Sequence, residues 1–235
     1  MKRMLSILSQ KWPEYLLEIL VITIGILGAF ALNKWNESEN NHDAKLAFIE
    51  NVTEEFESNL AQLDTVISYD TKVIDASIYL MHLISQGAVL EEDKMDSLFN
   101  DLSNLWSFDP SRGALRSAVS SGNIHLLENQ KLLNYLFSWE DVVLDAREDE
   151  DRFINHHMGK ALEFYDNLQV ADAYHKYDAT IPKSSFKSNY KALLEDRKFE
   201  NFLADKALFT LDARRELLMV RQISLEILEL LKEEK

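Results

Sequence analysis

Two adjacent histidines, His156 and His157, follow the acidic run Glu148-Asp149-Glu150-Asp151. Imidazole and carboxylate are the usual ligands of zinc and related metals, so a metal centre is the first chemistry to weigh here. A helix sets residues three or four apart side by side. Asp149 and His156 are seven apart, two turns, too far to share one ion without help from another helix. A single Glu-x-x-His, Glu39 to His42, has no second copy, whereas a carboxylate-bridged site in a helical bundle takes that motif from two helices. No HExxH occurs. These histidines, and His125 alone in its segment, read as structural or surface residues. His156 and His157 remain weak metal candidates.

Nucleophilic chemistry has as little support. Ser120-Ser121-Gly122 lacks the Gly-x-Ser-x-Gly elbow that exposes a catalytic serine. Neither a phosphate-binding loop nor a dinucleotide fingerprint is present. Asn51-Val52-Thr53 matches the glycosylation acceptor pattern, which matters only in a eukaryotic secretory pathway. Tyr165, Tyr174 and Tyr177, with Trp139, are candidates to line an aromatic pocket. No residue is assigned a catalytic role and no cofactor is expected.

The elements that would position such groups are limited by composition. The chain has 235 residues, 46% of them hydrophobic, enough to bury a core, and a net charge of −15. Residues 1–34 carry a net +2, which leaves −17 on the rest. A body that acidic repels phosphate backbones, so nucleic-acid binding is excluded, and cationic partners are favoured. There are no cysteines, which removes disulfides, thiolate metal sites and lipidated-cysteine anchors.

Tyr15 to Leu32 contains one charge, Glu18, and Ile19–Leu32 is uninterrupted apolar sequence. Trp12 and Trp35 bracket it like interfacial belts, roughly 34 Å apart along a helix. Pro13 suits a first helical position and Glu14 the positive helix end. The expectation is a cytoplasmic tail over 1–12, a transmembrane helix over 13–36 and an exported domain over 37–235. Lys2, Arg3 and Lys11 place the N-terminus in the cytoplasm by the positive-inside rule, putting the domain in the periplasm of a bacterial inner-membrane protein. A cleaved leader is the rival reading, because Ala29-Phe30-Ala31 has the small-x-small pattern. Glu18 is expected to snorkel to the headgroups or to make a polar contact inside the membrane. Gly25, Gly28 and Ala29 offer a small surface for close helix packing, so a homo-oligomer or an unidentified membrane-protein partner is expected beside the lipid bilayer.

The run Glu18 to Leu27, continuing to Asn33-Lys34-Trp35-Asn36-Glu37, resembles a domain-of-unknown-function family of short single-pass membrane proteins from Bacteroidetes-type bacteria. The matching positions are Glu18, Gly25, Ala29, Asn33, Trp35, Asn36 and Glu37. A second stretch, Ser120 to Asn123 through Leu127, Asn129 and Leu132-Leu133 to Trp139, is similar to the family's middle segment. Gly28 and Ala31 depart, standing where a bulky aliphatic and a Gln are usual. The resemblance implies an anchor plus a helical domain and no established activity.

The body reads as all-α. Asp43 to Ser85 lacks Pro and Gly, and apolar residues recur near helical spacing from Ile49 to Ile74. This long helix, about 64 Å over residues 43–85, is either a bundle member or a coiled-coil-like stalk. Polar Asn59 and Asp70 interrupt its heptads and favour the bundle. A shorter helix is expected over Glu91–Trp106 and another over Ser111–Ser121, closed by Gly122. Asn129 is placed to cap a helix running to about Asn167. Leu168–Lys187 is expected as a long loop or lid, and 199–231 as the C-terminal helix. The functional expectation is a non-catalytic scaffold or interaction protein of a membrane complex. The alternatives are an exported ligand-binding or sensor domain signalling through a partner and, more weakly, a metal-dependent enzyme.

Overall fold

The computed structural model describes residues 2–234, with side chains described throughout except at 2–11, 149, 153, 156–158, 173, 176 and 177. Its elements are α1 (Lys2–Gln86), α2 (Glu92–Leu102), α3 (Gly113–Ser121), α4 (Gln130–Ala161), α5 (Val170–Tyr177), α6 (Tyr190–Leu194) and α7 (Arg197–Glu233), with 3₁₀ turns at Asn123–Leu126 and Leu162–Asn167. Among the described residues there is no strand, so the chain is all-α: a long N-terminal apolar helix leads into a helical bundle.

The apolar N-terminal segment and the first bundle helix are one element. The expected tail, span and 43–85 helix all lie in α1. Pro13 therefore sits inside a helix that begins eleven residues earlier and does not open the span. A proline in a helix frees one carbonyl a turn before it. Residues 12–43 are exposed throughout; from Phe48 onward α1 buries one face, with Phe48, Ile49, Val52, Phe56, Leu63 and Val66 all nearly inaccessible. The bundle reading thus holds from Phe48, and any stalk is confined to the turns just after Trp35.

α7 runs antiparallel to both α1 and α4. On one side Lys45 pairs with Glu234 at 2.6 Å and Asp64 with Arg221 at 2.6 Å; on the other Lys131 pairs with Glu226 at 2.9 Å and Lys160 with Asp205 at 3.0 Å. All four mark register; the three solvent-facing pairs stabilise little, while Lys45–Glu234 is largely covered. Stability comes from two apolar clusters stacked along the bundle. The first joins Phe56, Leu63, Leu132, Leu136, Trp139, Leu217 and Leu231 near the residue-48 end of α1. The second joins Leu80, Leu83, Met95, Phe164, Leu193, Phe199 and Leu203 near the Gln86 end. Burying each such side chain contributes about 1.5–3 kcal/mol, whereas helices shorter than about 12 residues are marginal alone. α2, α3, α5 and α6 therefore exist because the three long helices give them a surface.

The short elements are fixed by their ends. Gly87 and Gly122 take φ of +60° and +80°, and they end α1 and α3 in the left-handed conformation that glycine tolerates. The Asn129 side chain accepts from the N–H groups of Lys131 and Leu132, capping α4 as expected. The N-terminus of α3 has no side-chain cap from its own Arg112. Instead α1 supplies one: Glu55 accepts from Ala114 N at 2.7 Å and Leu115 N at 3.1 Å. One turn further on, Asn59 donates to Ser111 O and accepts from Ser111 N, both at 2.8 Å. The polar residue that broke the heptad is a two-point clamp on a loop. Asn59→Ala should cost about 1–3 kcal/mol, because it strands two partly buried peptide groups of Ser111 and empties a buried position. Urea unfolding of the full chain in mild detergent measures this; a midpoint equal to wild type refutes the clamp.

The stretch expected as a loop, 168–187, contains α5. Val170 and Tyr174, one turn apart, both reach the wall of the distal cavity described next, and this packing outweighs the weak local signal.

Candidate functional site

The distal end of the bundle holds a cavity of about 560 Å³. α2 contributes Phe99 and Leu102 to its wall, α7 contributes Phe199, Phe202 and Lys206, and the 3₁₀ turn and α5 contribute Phe164, Tyr165 and Tyr174. The spacing of Phe199, Phe202 and Lys206 puts all three on one helix face. Their rings interlock: Phe164 stands edge-on to Phe199 at 5.1 Å and near Phe202 at 5.2 Å, while Phe99 stacks on Phe199 at 5.7 Å. Leu105, Leu162, Tyr165 and Tyr174 are exposed and form the rim.

Polar groups punctuate this wall. The Tyr190 hydroxyl donates a short hydrogen bond to Asp96, and burial followed by that bond raises the phenol far above its ordinary range. Asp172 accepts from Ser184 N at 2.6 Å. Lys206 is only 5% exposed, with Nζ 5.9 Å from the centre of the Phe202 ring. Desolvation pushes its ammonium down to about 8. Volume, an apolar wall and a few placed polar groups are the features of a small-molecule site.

Between the two apolar clusters lies an acid layer. Asp70 of α1 is pushed up to about 7 by burial, partly offset by the Arg214 charge. Glu150 of α4 is pushed up to about 7 by burial; it accepts from Phe108 N at 3.2 and 3.3 Å, which lowers it, and the Asp70 charge raises it again. Arg214 of α7 donates to Thr71 Oγ1 at 3.0 Å. Neither carboxyl lines the distal cavity. The layer can store protons near neutrality, and nothing places a substrate against it.

The span residues lie apart from both. Trp12 and Trp35 are 61% and 66% exposed, Glu18 is exposed, and Gly25 and Gly28 have open space around the position a Cβ would take. At roughly 100° per residue, Glu18, Gly25 and Ala29 fall on one stripe with Gly28 beside it. Phe48, Val52, Phe56 and Leu63 fall on the opposite side. The small stripe instead continues into exposed Asp43, Glu50, Glu54 and Glu57.

Of the expected aromatic pocket, Tyr165 and Tyr174 do line the cavity, while Trp139 lies fully buried in the other cluster, 4.7 Å from Phe56. The Tyr177 side chain lies outside the described residues, as do those of Asp149, His156 and His157. Among the described residues no three His, Cys, Asp or Glu side chains gather to hold a metal. Glu39, His42 and His125 are exposed, and the Ser120 and Ser121 hydroxyls bond back to helix carbonyls. Sequence reasoning missed Lys206 and Asp96. A lysine three and four residues from apolar positions on its own helix was the available signal for the first; nothing local signalled the second.

Taken together, the architecture is an all-α bundle whose first helix is long and apolar enough near the N-terminus to cross a membrane. The chain belongs to a family of unknown function, DUF6090, whose profile matches residues 18–208. No curated protein and no solved structure matches it.

Proposed function

We propose that the chain is a single-pass, non-catalytic membrane protein of Bacteroidetes-type bacteria. Its N-terminus is cytoplasmic, its bundle periplasmic, and it serves as an interaction protein of an inner-membrane complex. One observation carries the anchor: none of the most apolar window of α1 is buried in the fold, and every residue from 12 to 43 is exposed. A soluble core helix would be covered, and an exposed apolar rod of this length demands another medium. Trp35, placed like an interfacial belt at the far end of the apolar run, favours a retained span over a cleaved leader.

The interaction reading rests on the back of α1. The small stripe of the span and the carboxylates of Asp43, Glu50, Glu54 and Glu57 share one side, away from the core. A second copy meeting the small stripe would bring like charges together, so self-association is expected to strengthen with salt. A partner with a small-residue span and a basic juxtamembrane surface meets no such opposition. Protease added to spheroplasts should degrade the bundle; a fully protected bundle reverses the orientation. Purification in mild detergent should yield a stoichiometric partner that is lost when Glu50, Glu54 and Glu57 are replaced by lysine. Retention of that partner by the triple variant removes the acidic face from the reading. A second reading, a ligand-binding head that signals through a partner, is favoured by the distal cavity.

A further inference from the structure

The distal cavity has a chemical polarity that narrows what it can hold. Its walls are aromatic and aliphatic, contributed by α2, α7, the Leu162–Asn167 turn and α5. A cavity of about 560 Å³ lies in the range that encloses a single small amphiphile. Among the described residues of the wall, Lys206 is the one cation, and it is almost wholly buried. Two carboxylates share the wall, Asp96 accepting from the Tyr190 hydroxyl and Asp172 from the Ser184 backbone N–H. An ammonium at low dielectric attracts an anion far more strongly than it does in water, and a carboxylate gives it a charge-assisted hydrogen bond. The surrounding rings cover an alkyl or aryl tail. The rim residues Tyr165 and Tyr174 pair an apolar body with a hydroxyl, as suits the boundary with water.

We propose that this cavity binds an amphiphilic monocarboxylate, with the tail among Phe99, Leu102, Phe164, Phe199 and Phe202 and the carboxylate at the Lys206 ammonium. The proposal rests on the ligand-binding reading and adds the ligand class to it. Lys206 sits two turns along α7 from Phe199, so head and tail are addressed by one helix face. The 5.9 Å approach of Nζ to the Phe202 ring holds the ammonium against the wall by cation–π attraction.

The test uses the full chain in lipid nanodiscs, with empty nanodiscs as the blank and dansyl-labelled undecanoate as the probe. Saturable fluorescence above the blank is expected, and Val170→Trp, which fills the cavity from the α5 wall, should abolish it. Dodecanoate should displace the probe at about tenfold lower concentration than dodecanol or dodecyltrimethylammonium. Lys206→Met should erase that preference while leaving dodecanol unchanged, and Lys206→Arg should keep it. Should Lys206→Met fail to fold, the head-group series on the wild type and on Lys206→Arg decides alone. Equal displacement by all three head groups, or a carboxylate preference that survives in a folded Lys206→Met, overturns the ligand class and leaves a cavity that binds apolar molecules. An absence of saturable binding overturns the ligand-binding reading as well, and unchanged binding by Val170→Trp overturns the location.

Discussion

Trp139→Ala is expected to destabilise the bundle by about 3–5 kcal/mol. The indole is completely inaccessible and lies against the Phe56 ring, with centroids 4.7 Å apart. Its cluster joins α1, α3, α4 and α7, so the void left by alanine would be lined by four elements that cannot all close on it. A domain of this size has about 5–15 kcal/mol in hand, and losing a fifth or more lowers the melting temperature by many degrees. Far-UV circular dichroism of the full chain in mild detergent reads this directly, with Trp106→Ala as the control. Trp106 stacks on Tyr69 at 4.8 Å but is 53% exposed, so its loss should be far milder. Equal melting of the two variants would contradict the placement of Trp139 in the core.

The second large effect is on pH dependence. Asp70 and Glu150 titrate near 7 in the fold, against 3.8 and 4.5 as ordinary carboxyls. A carboxyl raised by folding binds more protons in the native state. The resulting stability is full below about pH 4, falls as pH rises toward 7, and is gone above that. The wild type should therefore be more stable at pH 5.5 than at pH 8. General acidity contributes in the same direction, since a chain at −15 repels itself less as it approaches its isoelectric point. Substitution separates the two causes. Asp70→Asn keeps the shape and removes the buried charge, so at pH 8 it should stabilise the bundle by about 1–2 kcal/mol, discounted for partial exposure and for the lost attraction of Arg214. Glu150→Gln should act in the same direction because its amide oxygen still accepts from Phe108 N. Melts of the three proteins at both pH values provide the comparison. An Asp70→Asn variant that melts below the wild type at pH 8 would show that the Arg214 attraction outweighs the desolvation of Asp70.

Periodicity and punctuation carried much of the fold. The repeat from Ile49 to Ile74, the Asn129 cap and the Gly122 ending all appear in the structure where local chemistry places them. What local chemistry could not supply were the joints between elements. Nothing in residues 35–48 distinguishes a break from continuation, so the fusion of span and bundle into one helix emerges only from the whole. Glu55 gave no hint that it caps a helix some sixty residues away, because such capping depends on which face of α1 meets which loop. The cavity was half visible for the same reason. Tyr165 and Tyr174 could be named from their type, but Trp139 is assigned to a wall or a core by packing alone. Lys206 was hidden because buried lysines are rare, and the cavity it lines is completed by α2, the Leu162–Asn167 turn and α5.

The unbroken course of α1 makes the molecule a lever. With residues 12–35 across a bilayer, the distal cavity stands roughly 70 Å beyond Trp35 along the helix axis. No glycine or proline interrupts the helix between Trp35 and Gln86, so the tilt of the span is passed on undiminished. Spans of this length tilt by about 20° on average, and more in thin bilayers. A swing from upright to that angle carries the cavity sideways by about 24 Å, about the width of two helices with their side chains. In that setting bilayer thickness, read at Trp12 and Trp35, would set where the far end of the bundle can reach.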